Sequence, residues 1–132
     1  MRARHSGFVA AALAVLAAGP ALAWEPPQPM TRNGRFVMQD GAAIYRNVCT
    51  TCHMADAKGA TGAGTYPALA GDKRLADPAY PIYVVLKGQK GMPDFGPLFD
   101  DAQVAAVVGY VRTNFGNSYK GPVTAEAVKA LR

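Results

Sequence analysis

The chain is 132 residues long and carries 14 basic against 9 acidic side chains, a formal charge of +5, with only 17 % of its residues charged. That length holds one domain, two at most, which excludes a multidomain catalytic machine. The charge density is too low for a disordered tail or a nucleic-acid arm, and two cysteines exclude a multi-bridge disulfide scaffold and an all-cysteine zinc site.

The first 23 residues read as a secretory signal. Arg2 and Arg4 give a positive start, Phe8 to Ala18 is an apolar run, Gly19-Pro20 breaks it, and Ala21-Leu22-Ala23 offers the small residues a signal peptidase reads. The run is too short to cross a hydrocarbon core about 30 Å thick. Cleavage after Ala23 would leave 109 residues and, without Arg2 and Arg4, a charge of +3. No second long apolar run follows, so the mature chain is expected to lack a transmembrane segment. Sixteen of its apolar residues are alanines, a thin core of the kind that a cofactor often completes.

Residues 24–38, with Pro26, Pro27 and Pro29, are expected to be a proline-rich extended lead-in. Asp40 opens a helical pattern in which Ile44, Tyr45 and Val48 share a face, running into Cys49. Glycines 59, 62 and 64 mark a loop, and Tyr66-Pro67-Ala68-Leu69 a second irregular segment that packs inward. Asp77-Pro78 opens a short helix through Ile82, Val85 and Leu86 that stops near Gly88. Gly91, Pro93, Gly96 and Pro97 make the next stretch a stiff loop. Asp100 and Gln103 form a capping box for the strongest helix, with Val104, Val107, Val108, Val111 and Phe115 at helical spacing and Gly116 as its stop. Residues 39–116 form the main domain on this pattern, and 117–132 a tail with a short helix capped near Thr124. The pattern is all-α and without strands: short helices separated by loops so long that they need something to wrap around.

The motif Cys49-Thr50-Thr51-Cys52-His53 is C-x-x-C-H, the spacing for covalent attachment of one haem c. Two thiols three positions apart can add to the two vinyl groups on one porphyrin edge, and the adjacent imidazole then becomes the proximal iron ligand. A thioredoxin-like C-x-x-C would follow a strand rather than a helix. A zinc site would need a fourth ligand, and no other histidine or cysteine follows the signal. A plain disulfide would need neither His53 nor the long loops.

The second axial ligand follows by elimination. His5 leaves with the signal, Met54 adjoins His53 and cannot reach the opposite face, and Met30 and Met38 precede the first helix. Met92 remains, in the stiff Gly91-Met92-Pro93 turn, and a thioether ligand favours ferrous iron. A ligating histidine donates its other ring N–H to a carbonyl; Pro67 is the candidate acceptor, with Leu69 packing on the ring. Gly41, Tyr45 and Tyr110 are placed at the crossing of the first and last main helices. Lys87 and Lys90 flank Met92 as a docking patch for an acidic partner.

These residues, with C-x-x-C-H, Tyr66-Pro67-Ala68-Leu69 and Gly91-Met92-Pro93 in order ahead of the Asp100–Phe115 helix, resemble class I cytochrome c across nearly the whole mature chain. The resemblance implies an all-α fold of short helices and long loops around one covalent haem, with His53 and Met92 axial. Met92-Pro93-Asp94-Phe95-Gly96, Gln103 to Asn117 and Val123 to Arg132 are similar, more narrowly, to cytochrome c subunits of bacterial periplasmic dehydrogenases. Those subunits often carry three haems, whereas this chain has one C-x-x-C-H. The implied function is one-electron transfer in the periplasm, from a dehydrogenase toward a terminal oxidase or another cytochrome. The alternative is a peroxidase-like or sulfur-oxidising haem enzyme, which needs an exchangeable sixth position. Neither nucleic acid nor a catalytic residue enters this expectation.

Overall fold

The computed structural model describes residues 30–132; the signal segment and Trp24–Pro29 lie outside the described residues. Among the described residues the architecture is helical, with two minimal hairpins. Residues 30–38, placed in an extended lead-in on sequence grounds, instead hold the first hairpin. Strands β1 (Thr31–Arg32) and β2 (Arg35–Phe36) pair antiparallel, Thr31 opposite Phe36. Asn33 and Gly34 both have positive φ, as a tight two-residue turn demands. The hairpin is anchored rather than loose: Phe36 N donates to Leu98 O over 3.1 Å, and the Phe36 and Phe99 rings lie 4.9 Å apart.

The first helical stretch runs without interruption from Gly41 to His53 but is not one α-helix. Helix α1 (Gly41–Ile44) passes into a π-helical turn (Tyr45–Cys49) and then into α2 (Thr50–His53). Asp40 starts it, its carboxylate accepting from Ala42 N and Ala43 N. Hairpin β3–β4 (Ala60–Thr61 with Thr65–Tyr66) and a 3-10 turn (Lys73–Ala76) follow, then α3 (Ala79–Lys87), which Gly88 ends.

Helix α4 (Asp101–Thr113) carries the capping box read from the sequence: Asp100 accepts from Gln103 N, and Gln103 Oε1 accepts from Asp100 N. The same amide donates to Phe36 O and Met38 O, both at 2.8 Å, so this buried side chain is satisfied and ties α4 to the first hairpin. Val104, Val107, Val108 and Val111 are buried along one stripe. The helix stops two residues before the expected Phe115. Asn114 is extended and Phe115 has φ +58, which turns its ring onto Tyr45 at 4.7 Å. Thr113 and Asn114 side chains cap the last carbonyls, bonding Gly109 O and Tyr110 O.

Helix α1 crosses α4 at Gly41, where any Cβ would overlap Ala106 O and sit 2.9 Å from Tyr110 Cβ. Only glycine permits that approach. The 117–132 segment does contain the expected short helix, α5 (Ala125–Ala130), but it is built into the core: Val128 is fully buried, and Tyr119 Oη donates to Asp72 O over 3.0 Å. Arg112, buried on α4, fastens this segment by donating to Lys120 O and Gly121 O as well as to Leu75 O and Ala76 O. No helix among the described residues is long and apolar enough to cross a membrane.

Candidate functional site

The π-turn delivers the C-x-x-C-H motif. Thr50 N reaches back to Tyr45 O, five residues earlier, so the chain between Tyr45 and Cys49 is one residue wider than an α-turn. Cys49 and Cys52 then stand three positions apart, the spacing that puts two side chains on one helix face. Both are free thiols and partly buried. Burial, and secondarily the neighbouring Cys52, pushes the Cys49 thiol up to about 12, so without a bound group it stays protonated at neutral pH.

His53, buried at the end of α2, has its ring fixed by one contact: Nδ1 lies 2.9 Å from Pro67 O. A carbonyl only accepts, so Nδ1 donates this bond, and in the neutral imidazole Nε2 then presents a lone pair. Among the described residues Nε2 has no hydrogen-bond partner.

Further hydrogen bonds hold this geometry. Tyr45 Oη donates to Met54 O over 2.8 Å, fixing the turn that leaves His53, where Met54 has φ +65. The buried Tyr45 phenol is pushed up to about 12, by burial first and then by Cys49, Asp56 and Tyr110. Gly59 N donates to His53 O over 3.1 Å. Ala57, completely buried with φ +59, has a carbonyl that accepts from Leu69 N at 2.8 Å and Ala70 N at 2.9 Å. Gly59 also has positive φ, and a Cβ there would overlap Tyr66 O. The Pro67–Leu69 loop is thus seated on the loop that follows His53. Asn117 closes the seat from the other side, donating to Leu69 O and Val111 O, both at 2.9 Å.

Met92 lies apart from this group in sequence and in hydrogen bonding. It is half-buried on a turn after α3, where it exchanges both backbone hydrogen bonds with Gln89, at 3.0 and 2.9 Å. Gly88, with φ +71, is needed because a Cβ there would fall 2.6 Å from Met92 O. The sequence placed Pro67 beside His53 and Leu69 on the same loop; Tyr45 it placed only at the helix crossing, where its ring does lie 5.8 Å from Tyr110. The hydroxyl bond to Met54, the seat at Ala57 and the clamp at Asn117 it missed. Lys87 is less free than its flanking position implies, since Nζ donates to Arg132 O over 2.6 Å.

Two unbridged thiols on one helix face, an imidazole with one nitrogen fixed and the other open, and a thioether on a separate glycine-shaped turn form a donor set that fits a covalently held haem. The thioredoxin-like alternative fits less well. The motif lies within a continuous helical stretch, whereas a thioredoxin-like C-x-x-C would follow a strand.

Comparison with known proteins agrees. Residues 37–111 match the family described as cytochrome c oxidase, cbb3-type, subunit III. The chain is 37 % identical over 108 residues to the fructose dehydrogenase cytochrome subunit of Gluconobacter japonicus, covering 70 % of this chain and 22 % of that one. It is 36 % identical over 109 residues to the gluconate 2-dehydrogenase cytochrome c subunit of Pantoea cypripedii, covering 71 % and 24 %. With the cytochrome bc1 complex cytochrome c subunit of Mycobacterium tuberculosis it shares 27 % identity over 144 residues, covering half of that protein. The chain therefore spans about a quarter or less of the dehydrogenase relatives' length. With a family match across more than half its residues and a helical fold to suit, the chain belongs to the cytochrome c family.

Proposed function

We propose that the chain is a monohaem one-electron carrier of the periplasm, exported by its N-terminal signal. It accepts electrons from a dehydrogenase and passes them to a terminal oxidase or another cytochrome. Cys49 and Cys52 hold one haem c through thioethers, and His53 Nε2 and Met92 Sδ are its axial ligands. Residues 39–116 carry these groups, with 117–132 packed against them. When bound, the haem supplies a reversible ferric–ferrous couple; the polypeptide sets its potential and access.

The observation that carries this reading is the 2.9 Å contact between His53 Nδ1 and Pro67 O. It supports a proton on Nδ1, an imidazole held in one plane and a more basic Nε2 as the ligand. Leu69, on the same loop, supplies an apolar contact that keeps water from the ring. Met92, a soft neutral donor, stabilises the reduced state and fills the position a substrate would need. The cytochrome subunits of fructose and gluconate dehydrogenases among the relatives support an enzyme that oxidises sugars or sugar acids as the electron donor.

The test is the mass of the purified chain after export alongside haem-maturation machinery, measured under denaturing conditions. One haem retained covalently is expected, beginning at Trp24. Cys49→Ser or Cys52→Ser should leave a single thioether, and the double variant should lose the haem on denaturation. A haem-free exported chain would overturn the assignment.

A further inference from the structure

The Met92 turn is braced from the side by a chain of polar contacts that runs across the start of α3. Asp72 caps the 3-10 turn and holds the Arg74 guanidinium in a fork, with Nε at 3.0 and 3.1 Å from its two oxygens and Nη2 at 2.8 Å. That fork lays Arg74 over the Tyr80 ring, 5.7 Å from its centre, with Nη1 3.4 Å from the phenol oxygen. Tyr80 Oη in turn donates to Gln89 Oε1 over 3.1 Å. Gln89 is the residue whose backbone exchanges both hydrogen bonds with Met92. Asp72, Arg74, Tyr80 and Gln89 thus form a continuous strut from the 3-10 turn, past the start of α3, to the first residue of the Met92 turn.

Among the described residues no other side-chain hydrogen bond reaches residues 89–92. Its tip is Lys90-Gly91, exposed, with Lys90 at φ +54, a conformation that strains a side-chain-bearing residue and leaves the turn disposed to relax. Gly88, at its base, is shaped for close approach but supplies no side-chain restraint. Beyond the two Gln89–Met92 backbone bonds, the turn's resistance to opening therefore depends on the side-chain tether that Gln89 makes to Tyr80.

The geometry points to Tyr80 and Gln89 as positioning residues for Met92, with Asp72 and Arg74 orienting Tyr80: the strut sets how readily the thioether leaves the iron. This rests on Met92 being the axial ligand proposed above. A weaker strut raises the population of opened turn and so the apparent affinity of any competing ligand for the vacated position, without changing that ligand's own bond to iron.

The experiment is titration of the oxidised holoprotein with imidazole, followed by loss of the weak far-red absorption band that methionine ligation gives. Tyr80→Phe and Gln89→Ala are each expected to tighten apparent imidazole binding about fivefold, the value of one hydrogen bond. The double variant should bind no tighter than the stronger single one, because both remove the same bond. Tyr83→Phe, an exposed tyrosine on the same helix, should bind imidazole as the parent does, and melting of all variants separates turn opening from general loosening. Unchanged imidazole affinity in Tyr80→Phe and Gln89→Ala, with or without a lower melting temperature, overturns the strut. A parent protein without the far-red band overturns the Met92 assignment itself and the strut with it, so the two failures are told apart by the parent spectrum.

Discussion

Ala57 O accepts hydrogen bonds from both Leu69 N and Ala70 N, at 2.8 and 2.9 Å, although Ala57 is fully buried in a left-handed conformation that alanine rarely adopts. One strained residue therefore joins the loop leaving His53 to the loop that carries Pro67 and Leu69. The pairing is what lets Pro67 O meet His53 Nδ1. The strain is repaid because two backbone donors that would otherwise be stranded find an acceptor.

Ala57→Gly should relieve that strain without removing the carbonyl. Stability of the holoprotein should hold or rise by up to about 1 kcal/mol, since the cost of left-handed φ is set against greater unfolded-state freedom. Gly59→Ala, by contrast, introduces a Cβ that overlaps Tyr66 O at positive φ, and should cost about 3 kcal/mol as the seat is forced apart. Chemical denaturation of the two variants side by side checks the pair.

Met92→Ala should abolish the far-red band, open the sixth position to carbon monoxide in the reduced state and lower the reduction potential, because a soft donor to ferrous iron is lost. Absorption spectra and a redox titration report all three. The fold should survive, since the Gln89–Met92 contacts are backbone ones.

Arg112→Met should destabilise the fold by about 3 kcal/mol or more. The guanidinium is buried and donates to four carbonyls, of Leu75, Ala76, Lys120 and Gly121. A methionine fills the space but leaves those acceptors unpaired. Denaturant melts give the number, and protease sensitivity should appear first in the 117–132 segment.

Asp72 gives the protein an acid-sensitive term. Desolvation raises its carboxyl, but hydrogen bonds from Arg74 and that residue's charge outweigh it and hold the group below the usual carboxylate range. A depressed folded-state value means the stabilisation is complete above the unfolded value of 3.8 and is lost as pH falls through the folded one. Parent and Asp72→Asn should therefore differ by a constant amount from pH 5 to 8, with the gap narrowing below about pH 4. Stability measured across that range tests the sign.

Much of the site was legible because its chemistry is local. C-x-x-C-H is five consecutive residues, the Asp100–Gln103 box spans four, and the valines of α4 repeat at helical spacing. Pro67 followed from what a ligating histidine needs. What stayed hidden depends on distant partners. Arg112 looks like a solvated cation until residues 120 and 121 return to it, and Ala57 offers no glycine to advertise its positive φ. Asn117 matters only because Leu69 O and Val111 O converge on it. The π-turn has no sequence mark that separates it from ordinary helix. The first hairpin is a different case: Asn33-Gly34 is a two-residue turn signal in plain sight, masked by the prolines before it. The end of α4 was misplaced because Gly116 looked like the stop, whereas Asn114 breaks the helix so that Phe115 can pack on Tyr45.

Exposing the reduced, unmodified holoprotein to carbon monoxide tests the electron-carrier account most directly. With His53 and Met92 both on the iron, the spectrum should not change at neutral pH. Ready formation of a carbon monoxide adduct would mean an open or exchangeable sixth position, and would contradict the account in favour of a haem site that binds substrate.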